Sequence, residues 1–134
     1  MILVIDTSAI VAILEDEPER AIFSRVMAAA SCRISAGSVV EALRVVGMRR
    51  AGGATREVWA LIAAQQIEVA SFDLEQARLA DDGHARFGKG RREAPAVLNL
   101  GDLFAYALAR QLDAPLLFKG DDFRQTDVRP ALPA

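Results

Sequence analysis

The chain has 134 residues, 52% of them hydrophobic and 25% charged, with 16 basic against 18 acidic side chains and a formal charge of −2. That length supports one well-buried core and is short for two, so a single domain over 1–134 is expected, and the mixed charge argues against disorder. One cysteine, Cys32, and one histidine, His84, exclude an internal disulfide and a zinc cluster, while the near-balanced charge leaves any polyanionic partner to be attracted locally.

Ile2-Leu3-Val4-Ile5 is a continuous apolar run of the kind that forms a central strand buried on both faces. Asp6-Thr7-Ser8 follows as a polar turn, and Ala9 to Leu14 reads as a short helix. The start lacks the basic region of a secretory signal, and no apolar run reaches the roughly 18 residues that span a bilayer, so a cytoplasmic protein without membrane contact is expected. Pro18-Glu19 opens a second helix with Ala21, Ile22, Val26 and Ala29 as its apolar stripe. Arg33 to Ala36 is a short strand candidate, Gly37-Ser38 turns into a helix from Val39 to about Arg50, and Gly52-Gly53 ends it. Thr55 begins another helix through Val58, Trp59, Leu61 and Ile62, Ile67 to Ala70 is a third strand, and Asp73 to about Phe87 is helical by periodicity. Glycine, proline and charge make 88–95 a loop. A helix follows Asn99 to Asp102, burying Leu103, Phe104, Ala107 and Leu108, and Pro115 to Phe118 is the last strand before a turn over Lys119 to Phe123. Strands separated by helices at this spacing predict an α/β fold whose parallel sheet of four to five strands is covered on both faces.

In such a sheet the ligand cleft lies beyond the carboxyl ends of the strands. Asp6 follows the first strand, Glu41 lies in the first turn of the helix after the second, Asp102 opens the helix before the last, and Asp121 and Asp122 follow the last. Each acid also has an ordinary structural reading. Ser38-Val39-Val40-Glu41 fits a capping box, Asp6 and Asp102 stand where helix caps belong, and Asp121-Asp122 fits a turn. Convergence decides for chemistry, because Thr7 or Ser8 would cap the first helix without placing a charge at the end of a buried strand. Clustered carboxylates need a cation, and an all-oxygen ligand set selects Mg²⁺ or Mn²⁺. Such an ion activates water against a phosphodiester.

Val4-Ile5-Asp6-Thr7-Ser8-Ala9, Ser38-Val39-Val40-Glu41, Asn99 to Ala109 and Pro115 to Phe123 resemble, in order, the four motifs of PIN-domain ribonucleases, and Phe87-Gly88-Lys89-Gly90-Arg91 is similar to a loop of the VapC-like toxins among them. The resemblance covers almost the whole chain. It implies a three-layer α/β/α PIN-like fold and an endoribonuclease that cuts a structured RNA such as tRNA or rRNA. It implies that Asp6 and Asp102 are the principal metal ligands with Glu41, that the fourth acid comes from Asp121 or Asp122, with Asp121 preferred and Asp122 given to the turn, and that Thr7 or Ser8 contacts the metal water or a phosphate, with Asn99 orienting the same network. Lys89, Arg91 and Arg92, with Lys119, are candidate contacts to the RNA backbone, and such contacts position without reading sequence. VapC-like proteins further imply a homodimer and a cognate VapB-like antitoxin, through which any DNA contact would come.

Three other readings compete. A receiver-type phosphoacceptor would need an acidic pair after the first strand and an Asp where Ser71 stands, and a haloacid-dehalogenase-like phosphatase would need Asp at Ser8. A catalytically inactive PIN-like module that binds RNA or protein would lack one of the acids, yet every position is filled. A Ser-His-Asp or Cys-His site would rest on His84, which has no nucleophile motif nearby.

Overall fold

Leu3 and Ile5 point to one face of β1 (Ile2–Ile5) and Val4 to the other, and all three are fully buried. This strand is therefore interior, and the rest of the fold is built on its two sides. In the computed structural model, residues 1–50, 55–88 and 97–133 are described. β1 pairs in parallel with β2 (Ser31–Ser35) on one side and β4 (Leu116–Leu117) on the other, and β3 (Glu68–Ala70) adds to β2, giving the order β3-β2-β1-β4. The expected parallel sheet forms with four strands.

One face carries Leu3, Ile5, Cys32, Ile34 and Leu117 against α1 (Thr7–Leu14), α2 (Arg20–Ala28), α3 (Ala36–Arg49) and α4 (Thr55–Ala64). The other carries Val4 and Leu116 against α6 (Leu100–Leu112), which packs on α5 (Leu74–Phe87). Three layers result, and among the described residues no helix is long and apolar enough to cross a membrane.

Several expected boundaries move, each for a local reason. α1 starts at Thr7 because Asp6 itself caps it. α2 starts at Arg20, after a left-handed residue at Asp16, and buries Phe23 and Met27 rather than the expected stripe; Ile22 is left 44% exposed. Two large side chains four residues apart bury more apolar area than the smaller stripe would. β2 begins earlier than expected and ends at Ser35, whose hydroxyl caps α3 by accepting from the Gly37 N–H at 3.2 Å. Ser38 is thus inside the helix, and the expected capping box with Glu41 does not form. The loop expected over 88–95 lies outside the described residues apart from Gly88, which bridges Leu98, and the Gly52-Gly53 helix end lies outside them entirely.

Candidate active site

β1 delivers Asp6 to the carboxyl edge of the sheet, where its backbone N–H donates to Leu117 O of β4 at 3.0 Å. The residue is only 4% exposed. Its two carboxylate oxygens live differently. Oδ2 accepts the Ser8 N–H at 3.0 Å and the Ser8 hydroxyl at 2.6 Å, capping α1, whereas Oδ1 is buried with no partner. Thr7 and Ser8, either of which could cap a helix, leave the cap to Asp6, which uses one oxygen for it and keeps the other for the cleft. Burial pushes its carboxyl up to about 6 against the pull of the Ser8 bonds, and the neighbouring charge of Glu41 pushes the same way.

Asp102 divides its labour similarly. Asn99 caps α6 by accepting the Asp102 N–H at 3.0 Å, and Asp102 Oδ2 accepts the Asn99 N–H at 3.0 Å, so the capping box of this protein sits here. Partial burial raises the Asp102 carboxyl to about 7, resisted by the Asn99 bond and reinforced by Asp6, Asp122 and Glu41 in that order. Glu41 reaches the cluster across α3 and lies on the first turn of α6. A Cβ on Gly101 would stand 1.6 Å from Glu41 Oε2, so only glycine lets this carboxylate approach.

These groups open onto a cleft of about 320 Å³ lined by Asp6, Glu41 and Asp102, with Val11 and Val45 as an apolar wall and Glu17, Arg49 and Lys119 at its margin. The acids share the cleft without forming a closed cage: among the described residues, no three acidic, cysteine or histidine side chains converge tightly enough to hold an ion. Like charges drawn to one place keep apart unless neutralised.

The other candidates fall into three groups. Asp122 begins a 3₁₀ turn (Asp122–Gln125) and is the member of the pair whose charge acts on Asp102; Asp121 points away, 92% exposed at the side chain, with its carboxylate 3.9 Å from Arg124 Nε. Neither of the two lines the cleft with Asp6, Glu41 and Asp102. Thr7 and Ser8 line the cleft, but both hydroxyls are committed to the protein: Thr7 donates to Ser38 O at 3.0 Å, and Ser8 accepts the Lys119 N–H at 2.9 Å while donating to Asp6. Asn99 orients Asp102 through the cap and faces the adjoining groove. Lys119 Nζ pairs with Glu17 at 3.2 Å and Glu19 at 3.3 Å, which satisfies it internally. Lys89, Arg91 and Arg92 lie outside the described residues.

Two cleft residues escaped the reading of the sequence. Glu17 follows α1 in a turn whose geometry the left-handed Asp16 sets, and Arg49 looked like an ordinary basic helix end. For Arg49 the signal was present in its spacing: Glu41, Val45 and Arg49 are four residues apart and share one stripe of α3.

Residues 3–129 match the family described as PIN domain. The chain is 39% identical over 130 residues to Ribonuclease VapC42 of Mycobacterium tuberculosis, covering 96% of this chain and 98% of that one. Among solved structures, it superposes with a TM-score of 0.73 and 18% identity on Mycobacterium tuberculosis VapC20, a Sarcin-Ricin loop cleaving toxin, over 96% of this chain and 99% of that one. It superposes with a TM-score of 0.75 and 13% identity on VapBC2 from Rickettsia felis bound to a DNA fragment from their promoter, over 97% and 96%.

Proposed function

The chain belongs to the PIN-domain family, and from that premise we propose that it is a divalent-metal-dependent endoribonuclease, the toxin half of a toxin–antitoxin pair, acting on structured RNA in the cytoplasm. The observation that carries the chemistry is Asp6 Oδ1, a buried carboxylate oxygen without a partner in a cleft shared with Glu41 and Asp102. An orphaned buried acceptor of this kind costs free energy unless a cation or donor meets it.

The donor set fits a hard cation. The carboxylates stand apart as placed, so Asp6 through Oδ1, Asp102 and Glu41 would draw together on it, all through oxygen, with the fourth acid from Asp121 or Asp122, Asp122 being favoured by its charge on Asp102. Bound there, Mg²⁺ or Mn²⁺ supplies the positive charge that acidifies a water and offsets the charge of a phosphodiester. The chain's own residues do the positioning. Ser8 fixes Asp6, Asn99 fixes Asp102, and Gly101 leaves room for Glu41. Val11 and Val45 form the apolar wall of the cleft.

The proposal includes a homodimer and a cognate VapB-like antitoxin, with DNA contact only through that partner; the fold shared with VapBC2 supports the antitoxin part. Incubation with labelled tRNA and rRNA tests the activity. Cleavage is expected with Mg²⁺ or Mn²⁺, its loss with chelator, and its loss in Asp6→Asn and Asp102→Asn proteins that keep a native circular-dichroism spectrum. Cleavage that persists in both variants would reject the assignment.

A further inference from the structure

The cleft has a problem of charge. Asp6, Glu41, Asp102 and Glu17 line it, yet the proposed substrate is a polyanion. Neutralising the metal-binding acids answers only for the phosphate at the reacting centre, so a neighbouring phosphate needs a cation from the protein. Lys119 does not provide it, because Glu17 and Glu19 already hold its ammonium. The adjacent Arg50 does not either: its guanidinium pairs with Glu57 and Glu15 and donates to Leu14 O, binding the end of α3 to α1 and α4.

Arg49 is different. It is exposed, it lines the cleft, and among the described residues its guanidinium has no carboxylate or carbonyl partner. Arg50, the C-cap of α3, turns toward α1 and α4, whereas Arg49, the last residue of the helix, lines the cleft. The stripe Glu41, Val45, Arg49 spans about 12 Å of helix axis. Helical side chains lean toward the N-terminus, which brings the Arg49 head back over Val45 toward the acids.

Resting on the ribonuclease reading, we infer that Arg49 is the phosphate anchor of the substrate-binding cleft, gripping the RNA backbone next to the scissile phosphate through its guanidinium while Val45 floors the space between. A planar guanidinium suits this task, since it presents paired N–H donors to two phosphate oxygens. The contact fixes register and carries no base preference.

The test measures binding separately from cleavage. A fluorescein-labelled mixed-sequence single-stranded RNA is titrated by anisotropy with the full chain carrying Asp102→Asn, alone and combined with Arg49→Gln, Arg49→Lys or Arg25→Gln. Arg25 is exposed on α2, away from the cleft, and controls for the loss of one positive charge. Arg49→Gln is expected to weaken binding about tenfold and to lower the slope of log affinity against log salt by about one. Arg49→Lys should recover part of the loss and Arg25→Gln should change little. Replacing single phosphates by neutral methylphosphonates should then reveal one position that weakens the parent and is silent in Arg49→Gln. Equal losses from Arg49→Gln and Arg25→Gln would overturn the inference, as would unchanged RNA affinity with a loss confined to a co-expressed antitoxin. An unsubstituted chain that neither binds nor cleaves RNA would instead bring down the ribonuclease reading, and the anchor with it.

Discussion

Asp6 and Asp102 each put one oxygen to structural use and line the cleft, and both are raised, to about 6 and about 7. The sign of the consequence follows from linkage. An unfolded Asp loses its proton near pH 4, while these folded ones keep theirs longer, so their favourable contribution is complete below that pH and disappears as pH rises through 6 and 7. Without a divalent cation the protein should therefore be less stable at pH 8 than at pH 5, and Mg²⁺ should raise its melting temperature at pH 8 with little effect at pH 5. Asp102→Asn keeps an oxygen for the cap and removes the charge; it should stabilise the metal-free protein at pH 8 by about 1–3 kcal/mol, read from urea unfolding. A variant less stable than the parent at pH 8 would contradict this account of the cleft. The carboxylate proposed to bind the metal is thus expected to be one the fold would be steadier without.

At the scale of elements, the site depends on two helices meeting closely. α3 and α6 touch where Glu41 lies over Gly101 and where the Phe104 ring lies over Gly37, a Cβ on the latter coming within 2.4 Å of the ring. Gly101→Ala should displace the Glu41 carboxylate, the mobile end of a flexible side chain. Cleavage should therefore fall more than tenfold, while stability moves by no more than about 1 kcal/mol, the helical preference for alanine offsetting the crowding. Retained cleavage in that variant would remove Glu41 from the machinery. The reach of sequence reasoning ends at the same kind of contact. Strand and helix order was readable because Ile2–Ile5 and Leu116–Leu117 are unbroken apolar runs between polar turns, and the cleft edge followed from it. Ser35 and Ser38 could not be ranked as caps, since either hydroxyl suits the place and the choice depends on where β2 stops pairing with β3. The preference for Asp121 over Asp122 has no local signal behind it, since adjacent acids at a 3₁₀ turn differ only in the direction the turn gives each.

Across the whole molecule, the segment after the 3₁₀ turn is fastened back onto the sheet and onto α6. Leu116 N–H donates to Arg129 O at 2.9 Å, and Ala131 N–H donates to Leu116 O at 2.8 Å, covering the β4 edge. Asp127 accepts the hydroxyl of the buried Tyr106 at 2.7 Å and pairs with Arg86 and Arg110, and Asp82 joins both arginines from α5. Burial and the Asp127 bond push the Tyr106 phenol up to about 12. Tyr106→Phe removes this junction while keeping the ring, and should cost about 1–3 kcal/mol in urea unfolding, with the cleavage rate of the folded protein little changed. The position of β4 has one more consequence. Asp6 is held by Leu117, and Ser8 by Lys119, so the end of β1 gains its neighbours only once β4, from far along the chain, has come to lie beside it, a late event in folding.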